Sequence, residues 1–228
     1  MMTLDLSGAS PTASNLHMIA SGIRNVFGLQ FDSNGDLWFS DNGMDALGPG
    51  QDPVQADELN RILAAQLTPG SSAVNFGFPT CFPAYGTGVH AVDNCTHPEA
   101  AFIPQTGPDG LMYSQGAAQI ALAPSNFPAP FNGGIFVGFS GASGNTRNPV
   151  IYYDPTTGQY QYFVMGGSMG NPLGLLATSN ALYISDWGTG EIYQLTSLTP
   201  EPSGLGMGVL GLLGLGYLQH RVSKEQRS

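Results

Sequence analysis

The chain has 228 residues, a formal net charge of −10 and only 10% charged side chains. Ahead of the C-terminal segment the only cationic side chains are Arg24, Arg61 and Arg147, so the surface repels phosphate backbones and nucleic-acid binding is disfavoured. With 32 glycines, 17 prolines and few helix-forming runs, the composition excludes a helical bundle and indicates an all-β fold with many turns.

Residues 1–20 are small and polar, with no basic region leading into an apolar one, so they do not read as a secretory signal. The next stretch, "GIRNVFGLQFDSNGDLWFSDNG" from Gly22 to Gly43, reads as strand, turn, strand. Phe27 to Phe31 is the first apolar burst, Ser33 to Gly35 the hairpin turn, and Leu37 to Phe39 the second burst, ending on Asp41. A long Gly/Pro/Asp loop then runs from Asp41 towards "DELNRI" at 57–62, and a second occupies Asn75 to Phe102. Loops of this length inside a compact domain are uncommon unless they serve a function.

Cys81 and Cys95 lie in the second loop. In an exported chain they are expected to form a disulfide, and in a cytosolic one to be free thiols. His90 and His97 are nearby, but the spacing is not that of a common zinc motif. Further strands are expected at Ile135 to Phe139, Val150 to Tyr153 and Tyr160 to Val164, the last two joined by a "DPTTGQ" turn. Tyr152, Tyr153, Tyr160 and Tyr162 are expected to be packing residues.

The first hairpin recurs near the other end. In "NPLGLLATSNALYISDWGTGEIYQL", Asn171 to Leu195, Gly174-Leu175 matches Gly28-Leu29 and Ser185-Asp186 matches Ser40-Asp41. A Gly-Leu, turn, Leu-aromatic, Ser-Asp unit repeated in an all-β chain marks a β-propeller blade. Asp41 and Asp186 then read as turn-forming carboxylates rather than ligands.

The segments "GIRNVFGLQFD", "GDLWFSDNG", "DELNRI" and "NFGFPTCF", in this order, resemble the glucose/sorbosone dehydrogenase family, soluble pyrroloquinoline-quinone (PQQ) dependent sugar dehydrogenases on a six-bladed propeller. "GPDGLMYSQG", "FPAPFNGGIFVGFSGASGNTR" and the closing repeat extend the resemblance over about residues 20–196. It implies a PQQ-contacting pair at Arg24 and Asn25, with Arg147 as a second basic cofactor contact. PQQ is a tricarboxylate, and a planar, permanently charged guanidinium suits it. The resemblance also implies a calcium site beside the cofactor, formed by the carbonyls of Gly43 and Met44 and the carboxylate of Asp57. Calcium takes oxygen ligands and can polarise a quinone. The alternative reading of Asp57 to Asn60 is a strand start whose side chains tie down the preceding loop.

Two positions depart from the family pattern. Asn171-Pro172 stands where the closing blade usually begins Arg-Pro. The family's catalytic histidine lies one or two blades upstream of the Arg-Asn pair, whereas here His17 is the sole upstream histidine and is too close in sequence. No catalytic residue is therefore assigned. A blade needs roughly 40 to 50 residues, so the body, 21–197, is expected to be three to four blades of a partial propeller. Residues 1–20 are then a leader or the remnant of a missing blade, and the chain an N-terminally truncated fragment inactive by itself. The alternative is a non-catalytic exported propeller that binds glycan or a protein partner at the cell envelope.

The C-terminal segment, 198–228, opens with Pro200, Glu201 and Pro202. A glycine-studded apolar run follows, expected as a short membrane helix over about 204–219, and then Arg221, Lys224 and Arg227. It resembles the PEP-CTERM sorting signal of Gram-negative bacteria. That resemblance implies export to the envelope, membrane anchoring before processing, and an exosortase-type enzyme as partner.

Overall fold

The computed structural model describes residues 3–5, 12–14, 17–48, 52–90, 92–103, 112–113, 116–141, 146–164 and 170–197. The segment 198–228 lies outside the described residues, and with it Pro200, Glu201, Pro202 and the helix expected over 204–219. Among the described residues, no helix is long and apolar enough to cross a membrane.

The fold is all-β. Its helical content among the described residues is one 3₁₀ turn, Ala64–Leu67. Three antiparallel sheets, each a meander in chain order, carry the structure. The first comprises β1 (Val26–Phe31), β2 (Leu37–Asp41), β3 (Asp57–Ile62) and β4 (Ala100–Phe102). The second comprises β5 (Ala117–Leu122), β6 (Ile135–Phe139), β7 (Val150–Asp154) and β8 (Gln159–Val164). The third comprises β9 (Pro172–Ala177), β10 (Ala181–Asp186) and β11 (Glu191–Thr196). Short two-stranded pairings join Ala20–Ser21 to Val74–Asn75 and Met112–Tyr113 to Thr146–Arg147, both parallel.

The hairpin repeat seen in the sequence is a repeat of structure. The first strand of every sheet breaks register against its neighbour at the same place: between Val26 and Leu29, between Ala117 and Ile120, and between Pro172 and Gly174. A bulge there bends the strand and increases its twist.

The sheets stack face to face. Trp38, Leu59 and Phe102 of the first sheet pack on Ile120, Val137 and Ile151 of the second. The opposite face of the second sheet, with Phe136 and Tyr152, packs on Leu175, Leu182 and Ile184 of the third. Covered on both faces, β6 is buried at all five positions, which explains its unbroken apolar reading. Tyr152 and Tyr153 are buried on opposite faces of the second sheet, and Tyr160 and Tyr162 lie against the first core, so all four tyrosines pack as expected.

Strand β5 is the hinge of this stacking and touches both β1 and β9. The approach to β1 is close. A Cβ on Gly28 would lie 2.6 Å from the Ile120 nitrogen and 3.0 Å from the Ala118 carbonyl oxygen. Ser40 links the two sheets, its hydroxyl donating to the Ala118 carbonyl at 2.6 Å and accepting from the Gly28 N–H at 3.0 Å.

The far face of the first sheet is covered only in part. Leu37, Phe39 and Ile62 are buried against Val74 and Phe76. On the same face of β1, Phe27, Leu29 and Phe31 are more than half exposed.

Candidate functional site

One corner of the first sheet gathers the residues singled out at its start and end. Strand β1 is entered through Arg24 and Asn25, whose backbone N–H groups both donate to the Asp41 carboxylate, at 3.0 Å and 2.6 Å. Strand β3 begins with Asp57. One of its oxygens accepts from the Gly43 N–H at 2.8 Å, and the other accepts from the N–H groups of Gly116 and Ala117 where β5 begins.

The same device serves the third sheet. The Asp186 carboxylate accepts the N–H groups of Gly170 and Asn171 at the start of β9, and also that of Gly188 in the following turn. In the second sheet Phe139, paired with Ala117 as Asp41 is with Val26 and Asp186 with Pro172, stands where the other sheets have an aspartate. It cannot supply a carboxylate, and Asp57 reaches across from the first sheet to hold the start of β5. Asp41, Asp57 and Asp186 are therefore three versions of one backbone anchor. For Asp186, which also accepts from Gly188 and Thr189, this matches the expected turn role; Asp41 instead holds a distant strand start, and for Asp57 it is the loop-tying role.

Burial separates the three. Asp41 and Asp57 are pushed above the usual carboxylate range by desolvation, against the pull of their N–H donors. Desolvation also acts on Asp186, but there the N–H groups of Asn171, Gly170, Gly188 and Thr189 outweigh it and hold the carboxyl low.

The Arg24 guanidinium lies over the loop that follows β2. Nη1 donates to the Gly43 carbonyl at 2.6 Å and the Asn42 carbonyl at 3.3 Å, and Nη2 pairs with Asp45 at 2.8 Å. Asp45 is 87% exposed at its side chain, so a competing anion can displace it at little cost. Asn25 is exposed beside this group. The structure thus brings Arg24, Asn25, Gly43 and Asp57 into one corner. Arg147 pairs with Tyr113 through its backbone, and its side chain lies outside the described residues.

The donors of this corner fit the two expected groups unequally. A part-buried guanidinium, seated on two carbonyls and with an exposed carboxylate as its ion-pair partner, suits a polycarboxylate ligand. For a cation, the corner offers a buried Asn42 side-chain oxygen with no hydrogen-bond partner among the described residues, whereas the carbonyls of Asn42 and Gly43 already accept from the Arg24 guanidinium. That is hard-oxygen chemistry of the kind calcium takes. Met44 and Asp57 fit less well. The Met44 carbonyl accepts from the N–H groups of Val54 and Gln55, and both Asp57 oxygens are engaged by backbone. Gly43 could not be another residue without moving this loop, because a Cβ would meet the Gln55 carbonyl oxygen at 2.3 Å.

A buried acid missed by the sequence reading sits next to the corner. Asp57 and Glu58 are adjacent on a strand and must face opposite ways. Glu58 turns to the other face, where its carboxyl meets the Gln55 amide at 3.0 Å and the Asn60 amide at 2.9 Å. Desolvation, against these two amides and reinforced by Asp41 and Asp57, raises its pKa to about 7. The side-chain oxygens of Gln55 and Asn60 are buried without a partner among the described residues. Turning over either amide would give a protonated Glu58 the acceptor it needs. The signal for this residue was an Asp-Glu pair on a strand with both faces covered.

The remaining candidates have plain roles. Arg61 pairs with Glu99 at 2.7 Å and lies over the Trp38 ring, a structural ion pair with a cation–π contact. Cys81 and Cys95 are joined in a disulfide. The His90 ring stacks on His97 with centroids 3.9 Å apart, and burial lowers its pKa. Asn171 accepts from the Asn148 amide at 2.8 Å and is built into the corner of the third sheet.

A family model described as TrAA12-like matches residues 4–115. That span contains the first sheet, Arg24, Asn25, Asp57 and both cysteines. No curated protein matches the chain. Among solved structures, the chain is similar to the holo form of the PQQ domain of pyranose dehydrogenase from Coprinopsis cinerea, at 15% identity and a TM-score of 0.43. The match covers 76% of this chain and 54% of that one, so the chain spans about half the length of that domain.

Proposed function

We propose that the chain is the cofactor-binding part of an exported, PQQ-dependent aldose dehydrogenase-like protein, its three sheets being blades of a six-bladed propeller. The observation that carries this reading is the Arg24 corner, where a guanidinium and a set of hard oxygens are held together by the anchors Asp41 and Asp57. The ordered motifs from Arg24 to Phe78 support it, as does the family match over residues 4–115. The repeated bulge and the anchored first strand support the blade assignment.

When bound, PQQ supplies a hydride acceptor and calcium a Lewis acid that polarises it. This chain's own residues bind and orient. Arg24 exchanges Asp45 for a cofactor carboxylate, and Asn25 offers its amide beside it. The Asn42 side-chain oxygen is left for the cation, the Asn42 and Gly43 carbonyls joining it once Arg24 turns to the cofactor, while Asp57 acts one step back by fixing Gly43. Arg147 is retained as a second basic contact. Proton abstraction from the sugar is assigned to no residue of this chain, and His17 is not placed in that role. The disulfide and the Pro200–Glu201–Pro202 tail support a destination at the cell envelope, with an exosortase-type enzyme acting on residues 198–228.

Reconstitution with PQQ and calcium, followed by dye reduction with aldoses, tests the missing base. The chain by itself should give no turnover, and measurable turnover would show that a base is present after all. A second reading is a non-catalytic exported propeller that binds a glycan or protein. It is favoured by Asn171, which replaces the expected arginine and is already committed to Asn148 and Asp186.

A further inference from the structure

The disulfide corner holds more ligand chemistry than a crosslink needs. Cys81, His90 and Cys95 bring one sulfur, one ring nitrogen and one sulfur within 4.8 Å of one another. The His90 Nδ1 lies 3.7 Å from the Cys81 sulfur and 4.0 Å from the Cys95 sulfur. A tetrahedral zinc, with Zn–S of about 2.3 Å and Zn–N of about 2.1 Å, separates a sulfur and a nitrogen ligand by about 3.6 Å. The two histidine-to-sulfur edges of such a site are therefore nearly in place. The missing edge is the one between the sulfurs, which are bonded here and would need to stand about 3.8 Å apart.

The surroundings hold this arrangement in place. Gly77, at φ 95°, runs so close beneath the pair that a Cβ on it would lie 2.7 Å from the Cβ atoms of both cysteines. Cys81 is 1% exposed, whereas His90 and Cys95 are half-buried and leave an approach from solvent. His97, stacked on His90, and Asp93, 3.1 Å from the His97 Nε2, line that approach.

We propose that reduction of the Cys81–Cys95 bond turns this corner into a zinc-type site. The thiolates of Cys81 and Cys95 and the Nδ1 of His90 are its three protein ligands, and the fourth position is open towards His97. A phosphine or dithiol reductant supplies two electrons and is itself oxidised. The S–S bond breaks to two thiols, and binding of the divalent ion releases their two protons. A disulfide oxidant that takes up two electrons by thiol–disulfide exchange, and is itself reduced to thiols, re-forms the S–S bond and expels the metal, so the corner carries either a crosslink or an ion. In the newly made, still reduced chain the ion stands in for the crosslink.

Cobalt(II) reports thiolate ligation by its sulfur-to-metal charge-transfer absorption. The full chain, reduced with a phosphine, should take up one Co²⁺ per chain with that absorption, and Zn²⁺ should displace it. The same ion should raise the thermal midpoint of the reduced chain and leave the disulfide-bonded chain unchanged. His90→Ala should weaken Co²⁺ binding at least tenfold, and Cys81→Ser should abolish the charge-transfer band. Tryptophan fluorescence, from buried Trp38 and exposed Trp187, monitors folding in every sample. The proposal is overturned by a folded, reduced chain with no charge-transfer band, or by equal affinity in His90→Ala. It is also overturned if the reduced chain unfolds and Co²⁺ does not restore it.

Discussion

Asp57 receives backbone N–H groups from two different sheets, and its neighbour Glu58 faces away from them into a buried amide pair. The two acids respond differently to change. Asp57→Asn keeps the shape but turns an NH₂ group towards one set of N–H donors. Leaving such donors unsatisfied should cost about 2–3 kcal/mol, read as a lower urea midpoint. Glu58 sets a pH dependence instead. Its pKa rises from 4.5 to about 7 on folding, so between these values the unfolded chain has released the proton and the folded chain still holds it. Stability from this group is full below pH 4.5, falls as pH rises to about 7 and is level above it. The fall should be on the order of 3 kcal/mol. Urea titrations across this range should show the decline in the wild type and a much flatter profile in Glu58→Gln. A wild-type profile as flat as the variant's would contradict it.

The strands differ in how openly the sequence announced them. Strands β1, β2, β6, β7, β8 and the closing repeat were legible because aromatic and branched residues come in bursts between turn residues. Strand β5, Ala117–Leu122, carries no strand signal of this kind because two of its first three residues are alanine. It is pressed between β1 and β9, and the approach that forbids a side chain at Gly28 also favours small residues on β5. Tertiary packing overrode local propensity there. Gly28→Ala should therefore cost about 1–3 kcal/mol, although it adds a single carbon. The first sheet offers a sharper contrast. Phe39→Ala, in the buried part of its far face, should cost about 3–5 kcal/mol. Phe31→Thr, on the same face but 60% exposed, should stay within about 0.5 kcal/mol. Chemical denaturation of the two variants side by side decides it, and equal costs would mean that β1 is covered in solution.

Across the whole molecule, the motifs around Arg24 were legible because each must place a particular chemistry at a sheet end: a guanidinium, a carbonyl loop, an anchoring acid. What the sequence could not reveal was how those residues divide the work. Asp57 and Met44 have the residue types and order of cation ligands, yet their hydrogen-bonding capacity goes into holding backbone. The side-chain oxygen without a partner belongs to Asn42, while the Gly43 carbonyl is taken by Arg24, and only the folded arrangement makes that visible. The disulfide also acts at this scale. It closes a 14-residue separation, and opening it by Cys81→Ser/Cys95→Ser should lower stability by about 3 kcal/mol, measured as a drop in the denaturation midpoint in metal-free buffer.

The most direct test of the central claim is a spectrophotometric titration of the chain with PQQ in the presence of calcium, compared with Arg24→Ala. The wild type should shift the quinone absorbance and saturate at one PQQ per chain. Arg24→Ala should weaken binding at least tenfold while still unfolding in a single cooperative urea transition, at a midpoint lowered by the loss of its bonds to the Gly43 and Asn42 carbonyls. No absorbance shift in the wild type, or equal affinity in the folded variant, would contradict the assignment of this corner to the cofactor.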